Sequence, residues 1–142
     1  MKSRKLFILE TNVDDATPEA LAYAIETIMG DGALDVHVIP CLMKKGRPGH
    51  LIRVLADDPK KFSKILMRET STLGVRAIPV ERFEVERTIK TVEISMSGNP
   101  EKIRIKESEL GTKPEPDDIA RLAKKYGLAY ADVMKQVNKQ LP

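Results

Sequence analysis

Tryptophan is missing from this sequence, and cysteine occurs once, histidine twice, and tyrosine and phenylalanine three times each. A single cysteine, Cys41, excludes an internal disulfide. An aromatic content of 4% leaves little material for stacking the bases of a single-stranded nucleic acid. His37, His50 and Cys41 fall short of the donor sets that hold structural zinc, and Cys41 reads more simply as a small buried hydrophobe. No apolar stretch approaches the ~20 residues of a bilayer span. The run Leu6–Leu9 is too short for the core of a signal peptide. These absences set the expectation of a cytoplasmic chain without a membrane partner. The Walker string GxxxxGK[ST] is absent, and so is any Ser-His-Asp or Cys-His-Asn pattern.

What is present is separated charge. Between Leu6 and Asp35 there is no lysine or arginine, but there are seven acids: Glu10, Asp14, Asp15, Glu19, Glu26, Asp31 and Asp35. Between Val36 and Ala56 there is no acid, but Lys44, Lys45, Arg47 and Arg53 occur. Three of these bases share the turn MKKGRPG. An acidic loop and a basic loop in one small domain suit a ligand that carries both a metal and phosphates. Over 142 residues, 42% hydrophobic and 32% charged content supports a packed core and argues against disorder. A net charge of +3 permits a nucleotide partner without demanding one.

The order of elements follows from periodicity and punctuation. KLFILE (5–10) reads as a short strand. Thr17-Pro18-Glu19 opens a helix, with Thr as cap and Pro in the first turn. Leu34–Leu42 reads as a strand, Lys44–Gly49 as a turn and His50–Leu55 as the returning strand. Pro59–Glu69 is a helix and Val75–Glu86 a long strand. The result is βαββαβ, the ferredoxin-like order. Beyond it, Ile89–Met96 and Lys102–Lys106 read as a hairpin and Lys113–Pro116 as a linker. Asp117–Tyr126 and Tyr130–Gln140 read as helices. The expectation is an α+β chain, with a ferredoxin-like domain over 1–87 and a hairpin plus two helices over 88–142.

That topology places three connections at one sheet edge: Glu10–Ala16, Lys44–Gly49 and Arg68–Arg76. Four strands at ~4.8 Å spacing span roughly 14 Å, about the length of a nucleoside triphosphate. ETNVDD offers Glu10, Asp14 and Asp15 as oxygen ligands for a hard divalent cation, or as acids favoured before a helix N-terminus. KKGRPG offers Lys44, Lys45, Gly46 and Arg47 as a phosphate cradle, or as an ordinary basic hairpin. RETSTLGVR offers Thr70, Ser71 and Thr72 between Arg68 and Arg76. These suit a phosphate as well as they suit a helix end. Arg82 and Arg87, set among glutamates on the last strand, read as cross-strand pairs.

The strings ETNVDDATPE, GALDVHVIPCLMKKGRPG, RETSTLGVR and KPEPDD together resemble the C-terminal domain of the nickel-insertion family, the CTP-dependent cyclometallases that make the nickel-pincer nucleotide of lactate racemase. The resemblance runs from Leu9 to about Val133. It implies that CTP is a cosubstrate held with Mg²⁺ or Mn²⁺. It also implies that a pyridinium bis-thiocarboxylate mononucleotide is activated by cytidinylylation, and that Ni²⁺ is inserted between its sulfurs. On matching motifs, Lys44, Lys45, Gly46 and Arg47 would hold the triphosphate. Arg68, Thr70, Ser71, Thr72 and Arg76 would line the same pocket, and Glu10, Asp14 and Asp15 would hold the divalent cation. Family members carry a long N-terminal portion that this sequence does not contain, so that portion is an expected partner. A homo-oligomer is also expected, because a sheet with helices on one face needs cover on the other. Two other readings stay open. One is a ligand-sensing module that catalyses nothing. The other is an RNA-binding module, which the scarcity of aromatics on KLFILE and HLIRVL disfavours.

Overall fold

The computed structural model describes residues 1–141. The chain divides into two compact units, Ser3–Phe83 and the segment from Glu84 onward together with Met1–Lys2.

The first unit contains β1 (Lys2–Val13), α1 (Pro18–Gly30), β2 (Asp35–Leu42), a single 3₁₀ turn (Lys44–Gly46), β3 (Pro48–Ala56), α2 (Pro59–Thr70) and β4 (Arg76–Glu84). Its sheet has the order β2-β3-β1-β4, the ferredoxin-like arrangement expected from the sequence. β3 is antiparallel to both β1 and β2. Ser3 hydrogen bonds to Glu81 at one end of the β1–β4 pair, and Arg76 to Asn12 at the other, so β4 also runs antiparallel to β1.

Alternation along the strands builds the core. Leu9 and Val13 on β1 and Ile52 and Val54 on β3 turn toward the helices. They meet Ile28 from α1 and Phe62 and Leu66 from α2. Each such side chain, removed from water, contributes about 1.5–3 kcal/mol. The helices start where polar caps stand: Thr17 Oγ1 accepts from Ala20 N at 3.2 Å and Asp58 Oδ1 from Lys61 N at 3.0 Å. Proline follows each cap, where its missing N–H costs nothing.

The second unit contains β5 (Arg87–Met96), β6 (Asn99–Ser108), β7 (Gly111–Pro114), α3 (Pro116–Tyr126) and α4 (Tyr130–Asn138). β5 and β6 turn through Ser97 (φ 51°) and Gly98 (φ 79°), the pair of positive φ values that a two-residue hairpin favours. Ile94, Met96, Ile103, Ile119, Leu122 and Val133 form the core. Glu101 fastens α3 to the hairpin. Its carboxylate takes Lys125, Tyr126 Oη at 2.6 Å and Arg121 Nη1 at 3.4 Å.

Three boundaries differ from the sequence reading. β1 runs on to Val13 rather than stopping at Glu10, because its polar residues find partners across the sheet. The expected linker is instead β7, which pairs with β6 through Gly111–Pro114. Pro114 is tolerated there because an edge strand bonds on one side only. The strand expected over Val75–Glu86 is β4, ending at Glu84, and the hairpin strand expected from Ile89 starts two residues earlier, at Arg87.

Candidate functional site

Three segments converge at one edge of the Ser3–Phe83 sheet: the end of β1, the β2–β3 hairpin and the α2–β4 loop. Arg47 Nη1 donates to Asp14 Oδ2 at 3.4 Å, joining the basic turn to the acidic segment. Thr11 Oγ1 lies 2.7 Å from Thr72 Oγ1 and donates to Gly74 O at 3.0 Å, joining β1 to the loop. Thr72 Oγ1 is also 3.2 Å from Gly74 O. Arg76 Nη2 donates to Asn12 Oδ1 at 2.7 Å, and its Nε lies 3.7 Å from Glu10 Oε2.

Local backbone shape explains the basic turn. Lys45 (φ 63°) and Gly46 (φ 68°) are both left-handed, so the turn is tight and its lysines project outward. Gly49, which closes it, is buried. A Cβ at that position would meet Val13 O at 2.8 Å and the Met43 side chain. Glycine is required there by close approach rather than by φ. Lys44, Lys45 and Arg47 are exposed. Among the described residues, Lys44 and Lys45 have no carboxylate partner, so their charge is open to an anion. Ser71, at the end of α2, is a second left-handed non-glycine residue (φ 56°) at the same edge. Such strain is retained where surrounding structure fixes it, and it gathers at binding sites.

A cleft of about 210 Å³ lies between the start of α1 and the end of α2, lined by Asp15, Thr17, Glu69, Thr70 and Ser71 among others. Thr70 donates its hydroxyl to Leu66 O at 2.7 Å and so offers only lone pairs. Arg68 Nε pairs with Glu69 Oε1 at 2.6 Å, which raises the guanidinium pKa. These contacts engage both groups within α2.

The structure therefore joins Asp14 to Arg47, Thr72 to Thr11 and Arg76 to Asn12, three contacts at the end of β1, with Lys44, Lys45 and Gly46 on the turn that carries Arg47. Asp15, Thr70 and Ser71 line the neighbouring cleft, and Arg68 is held by Glu69. Glu10 has cationic neighbours. Arg53 donates both Nε (2.7 Å) and Nη2 to Glu10 Oε1, and Arg76 approaches the other oxygen. Among the described residues, no three His, Cys, Asp or Glu side chains converge as a ready-made metal cage. His37 sits 3.8 Å from Asp35, and Asn12 Nδ2 lies 3.8 Å from Cys41 Sγ. No described helix is long and apolar enough to cross a membrane.

Sequence reasoning passed over Thr11, Asn12 and Arg53. Arg53 carried a usable signal. A single arginine inside the apolar string HLIRVL, on a central strand, requires a nearby acid. Thr11 carried none, since its partner Thr72 is distant in sequence.

The family described as nickel insertion protein matches residues 1–134. A candidate nickel insertion protein of Methanocaldococcus jannaschii is 38% identical over 141 residues, covering 97% of this chain and 37% of its own length. The pyridinium-3,5-bisthiocarboxylic acid mononucleotide nickel insertion protein of Acetivibrio thermocellus is 38% identical over 143 residues, covering 96% of this chain and 34% of its own. The chain thus spans about a third of the length of these relatives. Among solved structures, LarC2 superposes with a TM-score of 0.81 at 27% identity over 96% of both chains. LarC2 is the C-terminal domain of a cyclometallase involved in synthesis of the NPN cofactor of lactate racemase. A protein of Methanopyrus kandleri superposes with a TM-score of 0.69 at 26% identity, over 94% of this chain and 86% of its own.

Proposed function

The chain belongs to the nickel insertion protein family, and from that premise we propose that its Ser3–Phe83 unit binds CTP with a divalent cation at the edge where Asp14 meets Arg47. The observation that carries this reading is that contact. It sets oxygen ligands beside anion-seeking groups, which is what a metal–triphosphate requires.

Lys44, Lys45 and Arg47 would take the phosphates. The lysines act as point charges and Arg47 as a two-pronged donor. Backbone N–H groups around Gly46 can approach closely because no Cβ intervenes. Ser71 and Thr72 would complete the cradle, with Thr72 held in register by Thr11, and Arg76 would reach the same strand ends from the other face of the sheet. Arg68 and Thr70 belong to the same proposal as flanking groups that would have to exchange their present partners.

Asp14 and Asp15 fit a hard cation. Both are exposed oxygen donors, and Mg²⁺ or Mn²⁺ commonly takes only one or two carboxylates while phosphates complete its shell. When bound, the cation would neutralise charge on the phosphates. The chain's own cations do the same for a departing pyrophosphate. A positioned donor of that kind changes a rate by about 10²–10³.

The reaction would be cytidinylylation of a carboxylate on a pyridinium mononucleotide. A carboxylate oxygen bonds to the α-phosphorus, the bond from that phosphorus to the bridging oxygen breaks, and pyrophosphate leaves. The activated ring would then take Ni²⁺ as substrate: a carbon–nickel bond replaces the ring C–H bond, the proton passes to water, the two thiocarboxylate sulfurs bind the metal, and water cleaves the acyl phosphate so that CMP leaves. The larger relatives carry about two thirds of their length outside this region, so binding by this chain and turnover by a longer protein are separate propositions.

The test is calorimetric titration with CTP, ATP, GTP and UTP, with and without Mn²⁺, followed by single-turnover detection of pyrophosphate. CTP preferred and metal-dependent is the expected result. Equal or absent binding of all four would remove the reading, and binding without pyrophosphate release would point to a sensor.

A further inference from the structure

Strand register places a polar row on the sheet face opposite the helices. Leu9, Ile52 and Val54 turn toward the helices, so their neighbours Glu10 and Arg53 turn away. Register sets Glu10 opposite Arg53, and Arg53 opposite His37. Arg76 joins from β4. The rows on either side are mainly apolar, with Asn12–Leu51–Ile39 on one and Ile8–Leu55–Asp35 on the other. Ile39 and, on β4, Ile78 are 38% and 42% exposed.

Within this row the charges do not balance. One carboxylate faces two guanidiniums. Glu10 is 8% exposed, with one oxygen taken twice by Arg53 and the other near Arg76. Arg76 is further fixed by Asn12. The two arginine side chains remain 39% and 55% exposed. A nearly buried acid thus holds two half-exposed cations in place, with one positive charge in excess.

We infer that Glu10 is a positioning residue rather than a metal ligand, and that it holds Arg53 and Arg76 as a seat for a ligand oxyanion on the face of the sheet opposite the helices. Two guanidiniums braced by a shared acid lose little freedom on binding, which favours a planar, two-oxygen group. Ile39, Leu51 and Ile78 flank the seat with aliphatic surface that a flat ring can cover. The seat takes a phosphate or a ring carboxylate, chemistry that could come from the nucleoside triphosphate or from an acid-bearing pyridinium mononucleotide. This rests on the nucleotide reading above for its ligands but not for its geometry.

The experiment follows the arginine Nε–H signals by ¹⁵N NMR while either CTP with Mg²⁺ or nicotinic acid mononucleotide is added to the full chain. One of the two should shift the Arg53 and Arg76 signals. Glu10→Gln should weaken that ligand at least tenfold while changing Mn²⁺ affinity, read by electron paramagnetic resonance, less than twofold. Signals unmoved by both ligands overturn the inference, as does wild-type affinity in Glu10→Gln or a loss confined to Mn²⁺. Should Glu10→Gln unfold, Arg76→Ala on the edge strand must produce the same loss of affinity, and wild-type binding there overturns the seat. CTP binding with both arginines silent in both arms removes the seat and leaves the nucleotide reading. Failure of CTP to bind at all removes that reading, and the mononucleotide arm alone then decides the seat.

Discussion

Arg47 Nη1 and Asp14 Oδ2 lie 3.4 Å apart although 33 residues separate them in sequence. The contact joins the basic turn to the acidic end of β1, and both lie at one sheet edge because β3 returns antiparallel beside β1. It is a weak surface pair, 64% and 31% exposed, and contributes about 0–1 kcal/mol to stability. On the proposed reading, an arginine held this lightly by an acid would exchange that acid for a phosphate when a metal takes the acid.

Charge reversal in the turn tests this directly. Lys45→Glu and Arg47→Glu should each lower CTP affinity more than tenfold, at least about 1.4 kcal/mol. Wild-type affinity should fall steeply with salt as exposed charges are screened. Calorimetry over a salt series reads both effects. Affinity unchanged in either variant takes the turn out of the site.

Neutralising the acids should act in a different way. Asp14→Asn and Asp15→Asn should reduce the gain in CTP affinity that Mn²⁺ confers. Binding measured in excess chelator should stay level or improve, since a negative charge is gone. If metal enhances binding equally in both variants and in the wild type, the cation is held elsewhere.

Thr11 braces the hydroxyl-rich loop from inside. It is 1% exposed and bonds to both Thr72 and Gly74. Thr11→Val keeps the shape but removes the bridge from β1, leaving Thr72 and Gly74 only each other, at a cost of about 0.5–1.5 kcal/mol. Urea unfolding reads the loss, and hydrogen exchange at Leu73 and Gly74 should quicken. A variant as stable and protected as wild type would make the bridge incidental.

The fold is legible because its signals are local: Thr17-Pro18 and Pro59 mark helix starts, and the short apolar run HLIRVL after a Gly- and Pro-rich turn marks a strand. The convergence of three loops followed from the ferredoxin-like order alone. What escaped was set by partners distant in sequence. A glutamate after KLFIL has the mark of a strand end, whereas cross-strand Arg53 carries β1 onward past Glu10. Lys113–Pro116 reads as a linker because its two prolines mask an edge strand. The commitments of Thr70 to Leu66 and of Arg68 to Glu69 depend on rotamers, which sequence spacing does not determine.

Gly49 makes the turn geometry testable without touching charge. Gly49→Ala drives a methyl toward Val13 O, which is backbone and cannot step aside. The variant should lose about 1–3 kcal/mol, as overpacked sites do. Adding Met43→Ala should recover only part of this, because the carbonyl clash remains. Full recovery in the double variant would assign the whole effect to Met43. Thermal melts of the four proteins in that cycle give the answer.

Acid stability of the second unit should depend on Glu101. Lys125 is the largest influence on its carboxyl, with Tyr126 and Arg121 adding to it, and together they hold its pKa down at about 2 from the ordinary 4.5. The same contact raises the pKa values of Lys125 and Tyr126. A carboxyl with a depressed folded pKa binds protons more weakly folded than unfolded, so its stabilisation is present in full above about pH 4.5 and fades as pH falls toward 2. Asp118, lowered chiefly by Arg104, adds to the same acid limb. Glu101→Gln should therefore be less stable than wild type at pH 7, and the gap should close as pH approaches 2. Circular dichroism melts at pH 7, 4 and 2.5 measure it. A gap that stays constant across those three values would mean the carboxyl is not what locks α3 onto β6.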